Sequence, residues 1–122
     1  MVHGNWLARW VQVVPDKTAV VDTATGQSLS YRALNRRADM VANMLRARFA
    51  IDQGKRVAVL GANRLEQLEL YFAVAKLGAV LVPVNWRLAP NEVAYILENS
   101  DPSVLFWGQD VAPTFEALQG GL

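Results

Sequence analysis

The sequence predicts an α/β domain in which βαβ units build a mostly parallel sheet flanked by helices, with a small hairpin near the amino terminus. Two apolar runs of strand length carry that prediction, Arg56 to Leu60 and Ala79 to Val84, whose continuity is the pattern of strands buried on both faces. A helical pattern from Arg64 to Leu77 separates them. Strand, helix and strand within about thirty residues form a βαβ unit, with parallel strands and a right-handed crossover. Composition agrees: the 122 residues are 52% hydrophobic and 19% charged, enough apolar surface for one core and one domain spanning 1–122. The same numbers exclude a disordered chain, and the absence of cysteine excludes a disulfide scaffold or a thiolate metal site.

Each element has its own signal. From Trp6 to Val14 apolar residues recur at helical spacing until Pro15 stops them, and Trp6 and Trp10, one turn apart, are expected to anchor this helix to the core. Thr18 to Asp22 and Ser28 to Ser30 read as the arms of a hairpin around a turn containing Gly26. Ser30 can cap a helix from about Tyr31 to Phe49 whose buried stripe is Leu34, Ala38, Val41, Ala42, Leu45 and Phe49. In the next helix Leu65, Leu68, Tyr71, Phe72 and Ala75 are expected to cover one face, and Gly78 to close it. Pro90 to Asn99 begins as helices do, with Pro at the first position and Glu92 in the first turn. Ser103 to Trp107 is a third strand, and the tail from Asp110 has room for one or two helical turns.

Charge points away from polyanions. The net charge is +1, and Arg32, Arg36, Arg37, Arg46 and Arg48 fall mostly on the polar side of one helix, a solvated face with no interleaved aromatics, so no nucleic-acid partner is expected. No apolar run is long enough to span a bilayer. Arg9 interrupts the first apolar stretch and no small-residue cleavage site follows, so a signal peptide is not expected and the chain reads as cytoplasmic.

The turn after the first buried strand is where an α/β sheet ordinarily binds ligands. Val57 to Gly61 resembles the start of a dinucleotide fingerprint, but its later glycine positions hold Asn63 and Glu66, which block and repel a pyrophosphate. Nicotinamide binding is therefore rejected. His3 is the only histidine and lies near the terminus, which argues against a histidine-based triad or metal site. Glu66 and Glu69 lie within one turn and are read as surface charge. The loop Asn85 to Leu88 is the one of interest. Trp86 there is either a packing aromatic or a binding residue, and Arg87 either a surface ion-pair member or a forked clamp for phosphate or carboxylate.

The ordered series Pro15-Asp16-Lys17-Thr18-Ala19, Leu29-Ser30-Tyr31-Arg32-Ala33-Leu34, Arg56 to Leu60, Asn63, Phe72 to Val80, Val82-Pro83-Val84-Asn85-Trp86-Arg87-Leu88 and Glu92 to Leu97 resembles the amino-terminal region of the adenylate-forming superfamily of AMP-binding enzymes. The resemblance runs from about Trp6 to Trp107, and the segment around Trp86 is more similar to acyl-CoA ligases than to peptide-synthetase domains. It implies a partial amino-terminal subdomain of the acyl-CoA synthetase fold, in an enzyme of the kind active in fatty acid metabolism. ATP and a small carboxylic acid would form an acyl-adenylate, and CoA would then displace AMP, with Mg²⁺ assisting the first step. It also implies that Arg87 is a contact for a phosphate of CoA's nucleotide. Family members are several times longer, and their Ser/Thr/Gly-rich phosphate loop, adenine and metal motif, ribose-binding acid and adenylating lysine have no counterpart in this sequence. No catalytic residue is therefore assigned, and the chain is expected to be non-catalytic alone, with the remainder of such an enzyme as its partner. The alternative is an interaction module that self-associates or pairs with another chain through an exposed apolar face. A small nucleotide-binding protein built on the Gly61 turn is a third, weaker reading. Smaller departures from the family pattern are Ala33, Lys55 and Ala89, the last where a capping Ser or Thr is common.

Overall fold

The structure, a computed structural model, describes residues 6–61, 64–108 and 111–119, the side chains of residues 115, 118 and 119 aside. His3 and Asn63, both weighed above, lie outside the described residues. Helix α1 (Trp6–Val13) docks through Leu7, buried against Leu29, Leu34, Ala38 and Leu65. The tryptophans do not anchor it. Trp6 and Trp10 remain 60% and 45% exposed, because the stripe facing the cluster passes through Leu7 between them. Trp10 leans instead on Tyr31, with ring centroids 6.3 Å apart. Strands β1 (Thr18–Val21) and β2 (Ser28–Ser30) pair antiparallel, and Gly26 supplies the positive φ that their turn requires.

Helix α2 (Tyr31–Phe49) begins where Ser30 Oγ accepts the Ala33 N–H at 3.1 Å. It ends on Ala50 in the left-handed region, where Lys55 Nζ donates to the Ala50 carbonyl at 2.6 Å. Lys55, a departure from the family pattern, thus places a cation at a helix carboxyl end, where the dipole favours it. Helix α3 (Leu65–Leu77) closes on Gly78 with φ 68°. Its packing differs from the single stripe expected. Leu70, Ala73 and Val74 face the sheet, while Leu65, with half-buried Leu68 and Phe72, faces the α1–hairpin cluster; Tyr71 is exposed. A helix wedged between two apolar layers has no single stripe for periodicity to find.

Three polar contacts clamp α3 to α2. Arg37 Nη1 donates to Glu69 Oε1 at 2.8 Å, and Lys76 Nζ reaches Asn35 Oδ1 at 2.6 Å and Asp39 Oδ1 at 2.9 Å. Glu69 is buried, so it is not the surface charge its sequence context predicts, and Arg37 is not merely solvated. Both helices needed to be placed before either role could appear.

The main sheet has the order β4-β3-β5, from β3 (Arg56–Leu60), β4 (Val80–Val84) and β5 (Val104–Trp107), and both pairings are parallel. Central β3 is buried on both faces, as its continuous apolar run requires. Val57 and Val59 point to the α2–α3 layer, and Ala58 and Leu60 to the opposite one with Val84 and Val93. Strand β4 is less buried than expected: it lies at the border of the three-stranded sheet, with Val80 and Pro83 exposed. Proline suits that border, since it has no N–H to give a further strand.

Helix α4 (Pro90–Ser100) covers the second face through Val93 and Leu97, and α5 (Ala112–Gln119) packs beside it, filling the two turns allowed for the tail. Half of a capping box is present at α4. Glu92 Oε1 accepts the Ala89 N–H at 3.1 Å, but Ala89 has no oxygen to return. Ala89→Ser is expected to stabilise the chain by about 1 kcal/mol, visible as a higher urea midpoint at unchanged slope. Among the described residues no helix is long and apolar enough to cross a membrane.

Candidate functional site

The loop between β4 and α4 is built from its two ends. Val84 is buried at the close of the strand, and half-buried Leu88 packs against the same cluster, so both ends of the loop are fixed by apolar contacts. Between them the chain turns tightly. Asn85 Oδ1 accepts the Arg87 N–H at 2.9 Å, and the Asn85 carbonyl accepts the Leu88 N–H at 3.2 Å. An Asn side chain that mimics a turn in this way fixes the backbone from which Trp86 and Arg87 project.

Both side chains project outward. Trp86 is 41% exposed and contacts Arg87, whose Cζ lies 5.1 Å from the centre of the Trp86 ring. That is cation–π distance. Among the described residues Arg87 forms no ion pair and donates no side-chain hydrogen bond, so the surface ion-pair reading has no carboxylate to rest on. A guanidinium carries five N–H donors in a planar fork that matches phosphate or carboxylate. Here the fork stands at the carboxyl end of a parallel strand, the side of an α/β sheet on which ligands sit. At the amino end of α4, Glu92 Oε1 accepts the Ala89 N–H, so that carboxylate is engaged with the backbone and not with Arg87.

A concavity apart from this loop lies at the carboxyl ends of β3 and β5, a crevice of about 660 Å³. Gly61 and Arg64 border it on one side, Trp107 and Gly108 on the other, with Met44, Leu70 and Phe106 among its apolar lining. Strand β3 leads into α3 on one face of the sheet, and β5 into α5 on the other, so the crevice marks a topological switch point. Sequence reading located the Gly61 turn but not the crevice, because the position of β5 beside β3 carries no local signal. Exposed Glu66 also lines it and places a carboxylate at its edge. Gln67 Nε2 donates to the Gly61 carbonyl at 2.9 Å and ties the turn to α3. Among the described residues no group of three His, Asp or Glu side chains could hold a metal ion.

Comparison with known proteins bears on both sites. Residues 7–120 match the model of the AMP-binding enzyme family. The chain is 38% identical over 120 residues to the long-chain-fatty-acid–CoA ligase FadD13 of Mycobacterium tuberculosis, covering 98% of this chain and 24% of that protein. It is 41% identical over 118 residues to a feruloyl-CoA synthase of Amycolatopsis sp., covering 97% and 23%. An inhibitor-bound crystal structure of the N-terminal domain of FACL13 from Mycobacterium tuberculosis superposes with a TM-score of 0.90 at 38% identity, covering 98% of this chain and 30% of that one. The chain thus spans about a quarter of the length of the curated relatives it matches.

Proposed function

The chain belongs to the AMP-binding enzyme family, and from that premise we propose that it is the amino-terminal part of an ATP-dependent acyl-CoA ligase, non-catalytic by itself, whose partner is the remainder of such an enzyme. The observation that carries this reading is the superposition on the N-terminal domain of FACL13, which spans nearly the whole of this chain. In the complete reaction a carboxylate oxygen attacks the α-phosphorus of ATP and pyrophosphate leaves. The CoA sulfur then attacks the acyl carbon and AMP leaves, so one thioester is formed for one phosphoanhydride cleaved.

The residues present divide that chemistry clearly. The described carboxylates do not cluster as a metal ion needs, so no step through Mg²⁺ is derived for them. Nor does the sequence hold a Ser/Thr/Gly-rich loop for the ATP phosphates. Arg87 does fit one ligand group, a phosphate of CoA's nucleotide, because it is exposed and its side-chain donors are unengaged among the described residues. The acyl substrate is a carboxylic acid whose identity this stretch does not select. Relatives matched over it at 38–41% identity are named for long-chain fatty acids, ferulate and indoleacetate.

The purified chain is expected to release no pyrophosphate from ATP–Mg²⁺ above background with long-chain, aromatic or indole carboxylic acids, in a coupled phosphate assay. Acid-dependent release that survives repurification would overturn the non-catalytic reading.

A further inference from the structure

We propose that Trp86 is a positioning residue for Arg87, its ring holding the guanidinium where the N–H fork can meet a phosphate of CoA's nucleotide; this rests on the Arg87 assignment above. An exposed arginine ordinarily samples many rotamers, and ordering them on binding weakens affinity. An ion pair with a neighbouring carboxylate would order the side chain but consume its donors. The Trp86 contact at 5.1 Å orders it through the ring's electron-rich face and engages no hydrogen-bond acceptor. Asn85 adds to this, because its bond to the Arg87 N–H sets the backbone from which both side chains leave the turn. Glu92 is held at the Ala89 N–H and forms no ion pair with Arg87. The ring contact therefore biases the guanidinium toward one orientation before the ligand arrives.

The test is a nuclear magnetic resonance titration of the 122-residue chain with CoA, following the Arg87 Nε–H and Trp86 indole N–H signals. Saturable shifts are expected in the wild type. Trp86→Leu should weaken CoA binding about two- to fivefold, the range of an exposed cation–π contact. Trp86→Phe, which keeps a ring face, should retain most of the affinity. In an Arg87→Ala background Trp86→Leu should change nothing further. Binding lost in Arg87→Ala but equal in wild type, Trp86→Phe and Trp86→Leu would overturn the positioning role and leave the Arg87 assignment standing. No saturable shift in the wild type, or binding unchanged in Arg87→Ala, would overturn the assignment and the positioning role together.

Discussion

Leu60→Ala is expected to cost about 3 kcal/mol, seen as a fall of roughly 1–3 M in the urea midpoint. Leu60 is fully buried at the carboxyl end of the central strand, in a cluster with Val84, Val93 and Val111. Shortening it removes transfer energy and leaves a cavity, since strands hydrogen-bonded on both sides cannot close around the gap. The loss is large beside the roughly 5–15 kcal/mol that holds a domain folded. It also falls under the site. Val84 is the register partner of Leu60 and the last fixed residue before the Asn85 turn. Val80→Ala, at an exposed position of β4, is the matched control, expected to stay within about 0.5 kcal/mol of wild type.

Arg37→Met is expected to cost about 2 kcal/mol, because it leaves the Glu69 carboxylate buried without its donor. The figure lies below the roughly 3–5 kcal/mol of a fully interior pair, since the Arg37 side chain is 44% exposed and water reaches the contact from that side. Arg37→Met combined with Glu69→Met should recover most of the loss, as two apolar side chains can fill the α2–α3 seam. Thermal unfolding of the two single variants and the pair gives the coupling directly. A single-variant loss below about 0.5 kcal/mol would mean that solvent already satisfies Glu69.

Local chemistry made much of the fold readable. Ser30 and Gly78 mark helix boundaries by groups that act within a few residues, and both act as read. Continuous apolar character identified β3 because that strand is covered on both sides. The misreadings share a different cause. Size and spacing point Trp6, Trp10 and Tyr71 inward, but a helix chooses its buried side by what it is laid against. Glu69 finds its partner 32 residues earlier in the chain, beyond any helical repeat. In the candidate site, Asn85, Trp86 and Arg87 stand out in the sequence because they lie just past the end of a strand, where binding residues often sit. Their mutual geometry does not, since nothing in the order Asn-Trp-Arg states that the guanidinium lies over the ring.

Alternation along β3 has a consequence for how the molecule opens. Its amides are bonded into neighbours on both sides, and its side chains are divided between two apolar layers, so none of it can be released without loosening both. The hairpin and α1 belong to a third cluster, which meets the rest through α2 and Leu65, Leu68 and Phe72 of α3. That arrangement grades protection across the chain. The amino-terminal unit can exchange its amide hydrogens through a partial excursion, whereas β3 exchanges only when cooperative structure is lost throughout. The Asn85 turn hangs from the protected side of that boundary, through Val84, so its amides are expected to stay protected when the amino-terminal unit opens.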